Sequence, residues 1–352
     1  MKTKLENLTL FCDVSGAFND LWHDGLLNRL IEIGCPPVYI QLIASFLERR
    51  KITFKKDKHE ITKFLERSSP QGSVLSPYLW NIFYNQLYLS LKRLDPLANI
   101  KLFADDLCVS ISCKNRKIAQ TRMNKIISRI TKWSFDNFIS FNAEKTTAVL
   151  FSHLRKKNPI NLIMNGKPIP LQQSAKYLGI TMDRKLTWNE HLTSQAAKCK
   201  KLLIRLSCAI STDWGLPQKA MKTIFEMAIE PILLYGASIW IEALEKVKNK
   251  TILSRIQRLA ALKVTRCLKT TSTDALLVIA GMIPLQLKAT ERATCTLSRQ
   301  TNTPEVDRRL DSENAWLNLS VIDKHTSSIE LTMKNYHSFP VSYTHLTLPT
   351  KA

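Results

Sequence analysis

The residue pattern predicts an α+β chain, with a ferredoxin-like βαββαβ core followed by a long helical region. Three observations carry that prediction. Up to about Ser152, strand-like and helix-like periods follow one another as strand, helices, strand pair, helix, strand. The strand pair is interrupted by two adjacent carboxylates, Asp105-Asp106, in the run Leu102 to Val109. Beyond Trp188, apolar residues recur at helical spacing up to about Arg299.

The elements follow in order. Leu8 to Val14 is β-rich and carries Asp13 near its end. Asp20 to Gly34 reads as a helix, with Leu21, Leu27, Leu30 and Ile31 near helical spacing and Gly34 as its stop. Pro36-Pro37 opens a second helix reaching about Glu48, and residues 50–66 look like a basic hairpin. Ser68 to Ser73 is a loop, after which Pro77 suits the first turn of a helix ending near Leu94. Arg116 to Phe138 is amphipathic, with Ala119, Met123, Ile126, Ile130 and Trp133 on one face. Thr146 to Ser152 returns as a strand, and Asn165-Gly166 marks a hairpin turn among short strands between Pro159 and Asp183. Thr251 to Lys269 is the clearest later helix. Leu253, Ile256, Ala260, Val264 and Leu268 share one face; Arg255, Arg258, Arg266 and Lys269 lie opposite, where they can meet phosphates or solvent.

Composition narrows the class. The 352 residues hold 51 Lys and Arg against 29 Asp and Glu, a net charge of +22, with 45% hydrophobic residues. That is an ordered globular chain whose charge favours a polyanionic partner, nucleic acid first. The eight cysteines show neither CxxC nor CxxH spacing, so reduced thiols in an intracellular protein are expected. The start lacks the apolar run of a signal peptide. The stretch Met227 to Leu244 is interrupted by Glu230, Pro231 and Glu242, and no membrane partner is expected.

Two neighbouring acids at a hairpin tip repel each other and gain nothing from a core, so a divalent cation is the natural explanation. With Asp13 they give three carboxylates at neighbouring strand ends, the donor set of two-metal phosphoryl or nucleotidyl transfer. Taken singly, the Asp-Asp pair also suits a Walker B segment or a solvated turn. The chain contains no GxxxxGK[ST] loop to accompany the former. His23, His153 and His191 are isolated from other soft ligands and are assigned to packing or solvent.

Five blocks remove the ambiguity. FCDVSGAFNDLWHDGLLNRL at 11–30, SSPQGSVLSPYLWNIFYNQL at 68–87, KLFADDLCVSIS at 101–112, ISFNAEKTTAVLFS at 139–152 and AKYLGITMDRKLTWNEHL at 175–192 occur in that order. The chain resembles the reverse transcriptase domain of non-LTR, LINE-type retrotransposons, jockey-like elements above all. PILLYGASIW at 231–240 and DALLVIAGMIPLQLKATERA at 274–293 resemble the helical region that follows in such elements.

The resemblance implies a right-hand polymerase palm with a thumb-like helical subdomain, and an RNA-directed DNA polymerase as the activity. It makes Asp13, Asp105 and Asp106 the acidic triad for two Mg²⁺ ions (Mn²⁺ being the alternative ion), with the Val14 carbonyl as an additional ligand. Phe18 takes the place of the aromatic plate beneath the incoming sugar. Gln71 and Gly72 contact the template–nucleotide pair, and Lys145 protonates the leaving pyrophosphate. Tyr177, Leu178 and Gly179 correspond to the primer grip, and Arg255, Arg258, Arg266 and Lys269 to nucleic-acid contacts. The partners implied are an RNA template, a DNA primer, dNTPs and an element-encoded RNA-binding protein, in a ribonucleoprotein of nucleus and cytoplasm.

The implied organisation is a palm over 1–158, primer-grip-like hairpins over 159–192 and a helical thumb or connection region over 193–298. A polar segment follows over 299–340; residues 341–352 resemble translated sequencing adapter and are set aside. Asn19 stands where the family usually has Asp. Twelve residues precede Asp13, so a family-type fingers region is expected to be largely absent, and no endonuclease or ribonuclease H pattern is seen. A palm with weak or no polymerase activity of its own is therefore expected, because triphosphate positioning would suffer. The alternative is an inactive nucleic-acid-binding remnant of such an element.

Overall fold

The computed structural model describes residues 6–301 apart from 49, 58, 66, 143, 153–159 and 208–215. His153, the polar segment beyond 301 and the 341–352 tail lie outside the described residues. The chain divides into two compact units between Ala175 and Lys176.

The first unit runs β1 (Glu6–Ser15), α1 (His23–Glu32), α2 (Pro37–Leu47), β2 (Lys51–Lys56), β3 (His59–Phe64), α3 (Ser76–Leu94), β4 (Asn99–Phe103) and β5 (Asp106–Cys113). It continues with α4 (Arg116–Asp136), β6 (Ser140–Phe141), β7 (Thr147–Phe151), β8 (Leu162–Met164), β9 (Lys167–Ile169) and β10 (Leu171–Gln172). The main sheet has the order β10-β7-β1-β5-β4. β7, β1, β5 and β4 are mutually antiparallel, which is the expected βαββαβ arrangement; β10 joins β7 in parallel. The mixed sheet and the helical remainder confirm an α+β fold.

Strand alternation sorts β1 into two faces. Leu8, Leu10, Cys12 and Val14 are buried in one cluster with Leu107, Val109 and Ile111 of β5, Leu26 and Leu30 of α1, Trp80 and Phe83 of α3, and Met123, Ile126 and Ile130 of α4. The intervening residues of β1 project from the other face, where Thr9 and Ser110 share a hydroxyl hydrogen bond of 3.1 Å. Asp13 belongs to that second set.

Local chemistry sets the ends of these elements. Pro77 sits in the first turn of α3, and the Asn115 side chain caps α4 by accepting from the Lys117 amide. Glu6, only 4% exposed, accepts from Arg116 Nε and Ser152 Oγ, each at 2.6 Å, so its buried charge is paired. The β2–β3 hairpin forms as expected, yet every residue of both strands is exposed, Phe54 and Ile61 included.

β11 (Ser174–Tyr177) crosses the boundary and pairs with β12 (Ile180–Asp183). The second unit is otherwise helical: α5 (Asn189–Ser207), α6 (Gln218–Ile224), α7 (Glu230–Leu233), α8 (Ala237–Trp240), α9 (Val247–Thr265), α10 (Thr273–Ala280) and α11 (Leu285–Thr301). A π-helical turn, Phe225–Ile229, joins α6 to α7, and a 3₁₀ turn, Ile241–Glu245, precedes α9. Gly236 breaks the chain direction at φ 64°; a Cβ there would come within 2.5 Å of Ile180. Glu230, 4% exposed, holds Lys288 at 2.8 Å and Arg292 at 3.0 Å.

One expected face is corrected. Leu253, Ile256, Ala260 and Val264 are buried, but Leu268 is 78% exposed. The helix stops at Thr265 because Arg266 takes the left-handed conformation at φ 57°. Among the described residues no single helix is long and apolar enough to cross a membrane, and the seven described cysteines are free.

Candidate active site

β1 and the β4–β5 hairpin bring the three aspartates together. Asp13 is the last β1 residue laddered with β5 and stands directly opposite Asp106; from Val14 onward, β1 pairs with β6. Phe103 pairs with Asp106, so Ala104 and Asp105 form the two-residue loop. Ala104 is held at φ 50°, unfavourable for a residue with a Cβ. Two hydrogen bonds fix this loop. Trp80 Nε1 donates to the Ala104 carbonyl at 2.7 Å, and the Val14 amide donates to the Asp105 carbonyl at 3.1 Å. All three aspartates are half-buried.

Lys145 reaches the same place from 132 residues further on, its Nζ 2.8 Å from Asp13 Oδ2. Asn142 makes this possible. Its amide donates to the Asp13 carbonyl at 2.9 Å, and its Oδ1 accepts from the Glu144 and Lys145 amides at 3.0 and 3.2 Å. The Asn142 carbonyl accepts from the Thr146 amide and hydroxyl at 2.9 and 2.8 Å. The loop is thereby closed on the end of β1.

The electrostatics follow from this geometry. Burial, then the charges of Asp105 and Asp13, push the Asp106 carboxyl up to about 6, with Lys145 partly offsetting them. Lys145 is raised in turn by its hydrogen bond to Asp13 and by the three aspartate charges. Among the described residues no three His, Cys, Asp or Glu side chains converge on one ion position. Lys145 instead engages Asp13 Oδ2. The donor chemistry fits a hard divalent cation: carboxylate oxygens only, with burial and then the neighbouring carboxylates resisting ionisation of Asp106.

The loops after β1 and before α3 adjoin this end of the sheet's first strand. Phe18 is half-buried, its ring centroid 6.2 Å from that of Trp80. Its carbonyl accepts from the Ser69 amide at 2.7 Å, and the Leu21 carbonyl from the Ser68 amide at 3.0 Å. Arg50 Nη1 and His23 Nε2 also bond the Ser68 carbonyl, at 3.1 and 2.7 Å. Exposed Gln71 donates through Nε2 to Asn19 Oδ1 at 3.1 Å, which joins the two loops by their side chains. Gly72 lies at φ 87° in open space, so its backbone conformation, and no crowding neighbour, calls for glycine.

The remaining sequence-predicted residues belong to the second unit. Leu178 and Gly179, at φ 46° and 84°, form the tight turn after Tyr177. Tyr235 Oη donates to the Leu178 carbonyl at 3.0 Å, and the same ring's Cε1 lies 3.1 Å from where a Gly179 Cβ would stand. Arg255 is exposed on α9. Arg258 donates to Thr273 Oγ1 and the Lys269 carbonyl at 2.9 and 2.8 Å, and Arg266 to the Leu216 carbonyl at 3.3 Å. The four therefore do not form one free cationic face on α9: Arg266 and Lys269 lie past its end, and Arg258 is committed within the unit. Sequence reasoning missed Trp80, Asn142 and Arg50, which act through backbone groups; only the strand and turn pattern around them was readable.

The reverse transcriptase (RNA-dependent DNA polymerase) family model matches residues 1–182, a little over half of the 352-residue chain. Among curated relatives, the putative 115 kDa protein of the type-1 retrotransposable element R1DM of Drosophila melanogaster is 28% identical over 80% of this chain and 27% of its own length. The RNA-directed DNA polymerase from mobile element jockey of the same species is 29% identical over 71% of this chain and 28% of its own. The type-1 element R1 Pol polyprotein of Bradysia coprophila is 27% identical over 83% and 29%. The chain thus spans under a third of the length of these relatives. Among solved structures, apo telomerase from Candida tropicalis is 12% identical over 96% of this chain and 52% of its own, with a TM-score of 0.42. With the family pattern running through every strand that carries an aspartate of the site, the chain belongs to the reverse transcriptase family.

Proposed function

We propose that this chain is the palm and adjoining helical region of a non-LTR retrotransposon polymerase, adding deoxynucleotides to a DNA primer on an RNA template. The observation that carries the reading is Asp13 facing Asp106 across the ladder with Asp105 on the adjoining turn. Asp13, Asp105 and Asp106, with the Val14 carbonyl, would hold two Mg²⁺ or Mn²⁺ ions. Such ions, when bound, acidify the primer 3′-hydroxyl and neutralise the triphosphate and its leaving pyrophosphate.

The protein's own groups do the rest. Lys145 keeps a proton beside Asp13 and can deliver it to the leaving pyrophosphate. Phe18, braced against Trp80, excludes a 2′-hydroxyl by bulk. Gln71 and Gly72 offer an amide and an uncrowded backbone to the template–nucleotide pair. The Tyr177–Gly179 turn grips the primer end through its backbone, and exposed Arg255 adds a phosphate contact. An element-encoded RNA-binding protein would accompany them in an intracellular ribonucleoprotein.

The test is primer extension by the purified chain on an RNA template with Mg²⁺ and dNTPs, beside an Asp105→Ala variant. Incorporation abolished by the substitution supports the reading. Primer–template binding without incorporation that persists when a family-type fingers sequence is restored upstream of the intact triad overturns it in favour of a nucleic-acid-binding remnant.

A further inference from the structure

The helical side of the first unit contains a cavity of about 290 Å³ between α1, α3 and α4. It lies behind the sheet, since the helices cover the face bearing Leu10 and Val14, and Asp13 and Asp106 alternate onto the other. Its walls include two indoles, Trp22 and Trp133. Both rings are held. Trp22 meets Phe138 edge-on at 5.2 Å, and Trp133 Nε1 donates to Gln86 Oε1 at 2.7 Å.

Three cations also line the cavity, Arg29, Arg129 and Lys132, against a single acid, Asp136. Arg29 reaches Glu32 through Nη1, while its Nε is buried with no hydrogen-bond partner. A buried guanidinium N–H without an acceptor is costly unless a ligand oxygen supplies one. Arg129 and Lys132 are exposed on α4, and Lys125 stands one turn before Arg129. At 1.5 Å per residue these three mark a cationic track of roughly 10 Å leading to the cavity. The helix carries six Lys and Arg but only one acid.

We propose that this cavity is a second nucleic-acid site, taking one nucleotide of a single-stranded RNA against half-buried Trp22, with core-packed Trp133 as its floor, while Arg29, Arg129, Lys132 and Lys125 follow the flanking phosphates. Cation plus aromatic is the chemistry of single-strand grooves, where stacking tolerates any base and the backbone supplies the charge. The volume is at the small end for ligand pockets and suits one nucleotide. The track beyond the cavity favours a strand over a free nucleotide. This site stands apart from the carboxylates and does not depend on their catalytic role.

The experiment uses the full chain, first saturated with an RNA–DNA primer–template duplex, then titrated with a labelled single-stranded RNA octamer. Tryptophan quenching and anisotropy are read at several salt concentrations. Wild type and Asp105→Ala should bind the octamer alike. Arg129→Glu/Lys132→Glu, both at exposed positions, should weaken it at least tenfold while leaving duplex binding intact. Arg129→Ala/Lys132→Ala should lower the slope of log K against log salt by about 1.4, at about 0.7 per lost phosphate contact on a single strand. Octamer binding unaffected by the charge reversal, or absent from the duplex-saturated protein, overturns the proposal. A mononucleotide that binds as tightly as the octamer overturns the strand assignment and makes the cavity a free-nucleotide site.

Discussion

Asp13 and Asp106 are direct cross-strand partners, and Lys145, held 2.8 Å from Asp13, partly offsets the charge around Asp106. Like charges in this relation destabilise a ladder. The Asp106 carboxyl, pushed up to about 6 by burial and by its two neighbours, favours the protonated form in the fold. Its contribution to stability is therefore present at low pH and lost as pH rises through about 6. Asp106→Asn should stabilise the ion-free protein at pH 7.5 by roughly 1 kcal/mol after allowance for solvent screening. The gain should vanish near pH 4. Melting in chelator at both pH values checks this; added Mg²⁺ should then raise the wild-type midpoint and leave that of the variant nearly unchanged.

Trp80 is fully buried and its indole N–H reaches the Ala104 carbonyl at 2.7 Å, which ties the core to the loop bearing Asp105. Trp80→Phe keeps an aromatic ring but leaves that carbonyl without its donor. The expected loss is about 1–3 kcal/mol in urea unfolding. Primer extension per folded molecule should fall as well, because the Asp105 loop loses one of its two anchors.

Phe18 packs beside Trp80 at the edge of the core and is half-buried, so its truncation opens space there. Phe18→Ala should raise incorporation of ribonucleotides relative to deoxynucleotides by roughly tenfold or more, the scale of a steric discrimination. Competition between the two triphosphates on one template measures the ratio. An unchanged ratio removes Phe18 from sugar selection.

His191 is 1% exposed and accepts from the Thr181 amide through Nδ1 at 3.3 Å. Burial, then the Lys198 charge, lowers it to about 4, so the fold holds it neutral. As pH falls below 6.5 the unfolded chain takes up the proton first. Stability is then complete above about 6.5 and declines toward about 4. His191→Gln should flatten the change in urea midpoint between pH 7 and pH 5, measured in an Asp106→Asn background so that the Asp106 carboxyl, which titrates in the same window, does not contribute.

Much of the carboxylate site was legible because strand period and turn position fix which residues share a face. Asp13 and Asp106 could be placed together from two short apolar runs alone. The Asn165-Gly166 turn was equally readable, and both residues take positive φ. What escaped depends on contacts between distant backbone groups. Asn142 has no local signature that announces two amides on its side chain and the Asp13 carbonyl on its amide. Leu268 was misplaced because α9 ends at an arginine, a residue that gives no stop signal, in the left-handed conformation. The π turn at Phe225–Ile229 likewise leaves the apolar spacing almost unaltered.

β1 is hydrogen-bonded to β5 on one side and to β6 and β7 on the other. A strand so placed cannot peel away as an edge strand can. The amides of Leu8 to Asp13 should therefore exchange with solvent only when the whole sheet opens. The carboxylate end of the molecule is thus insured against gradual wear. Heat or denaturant should extinguish it in one step with the sheet, leaving no softened intermediate in which Asp13 has drifted from Asp106.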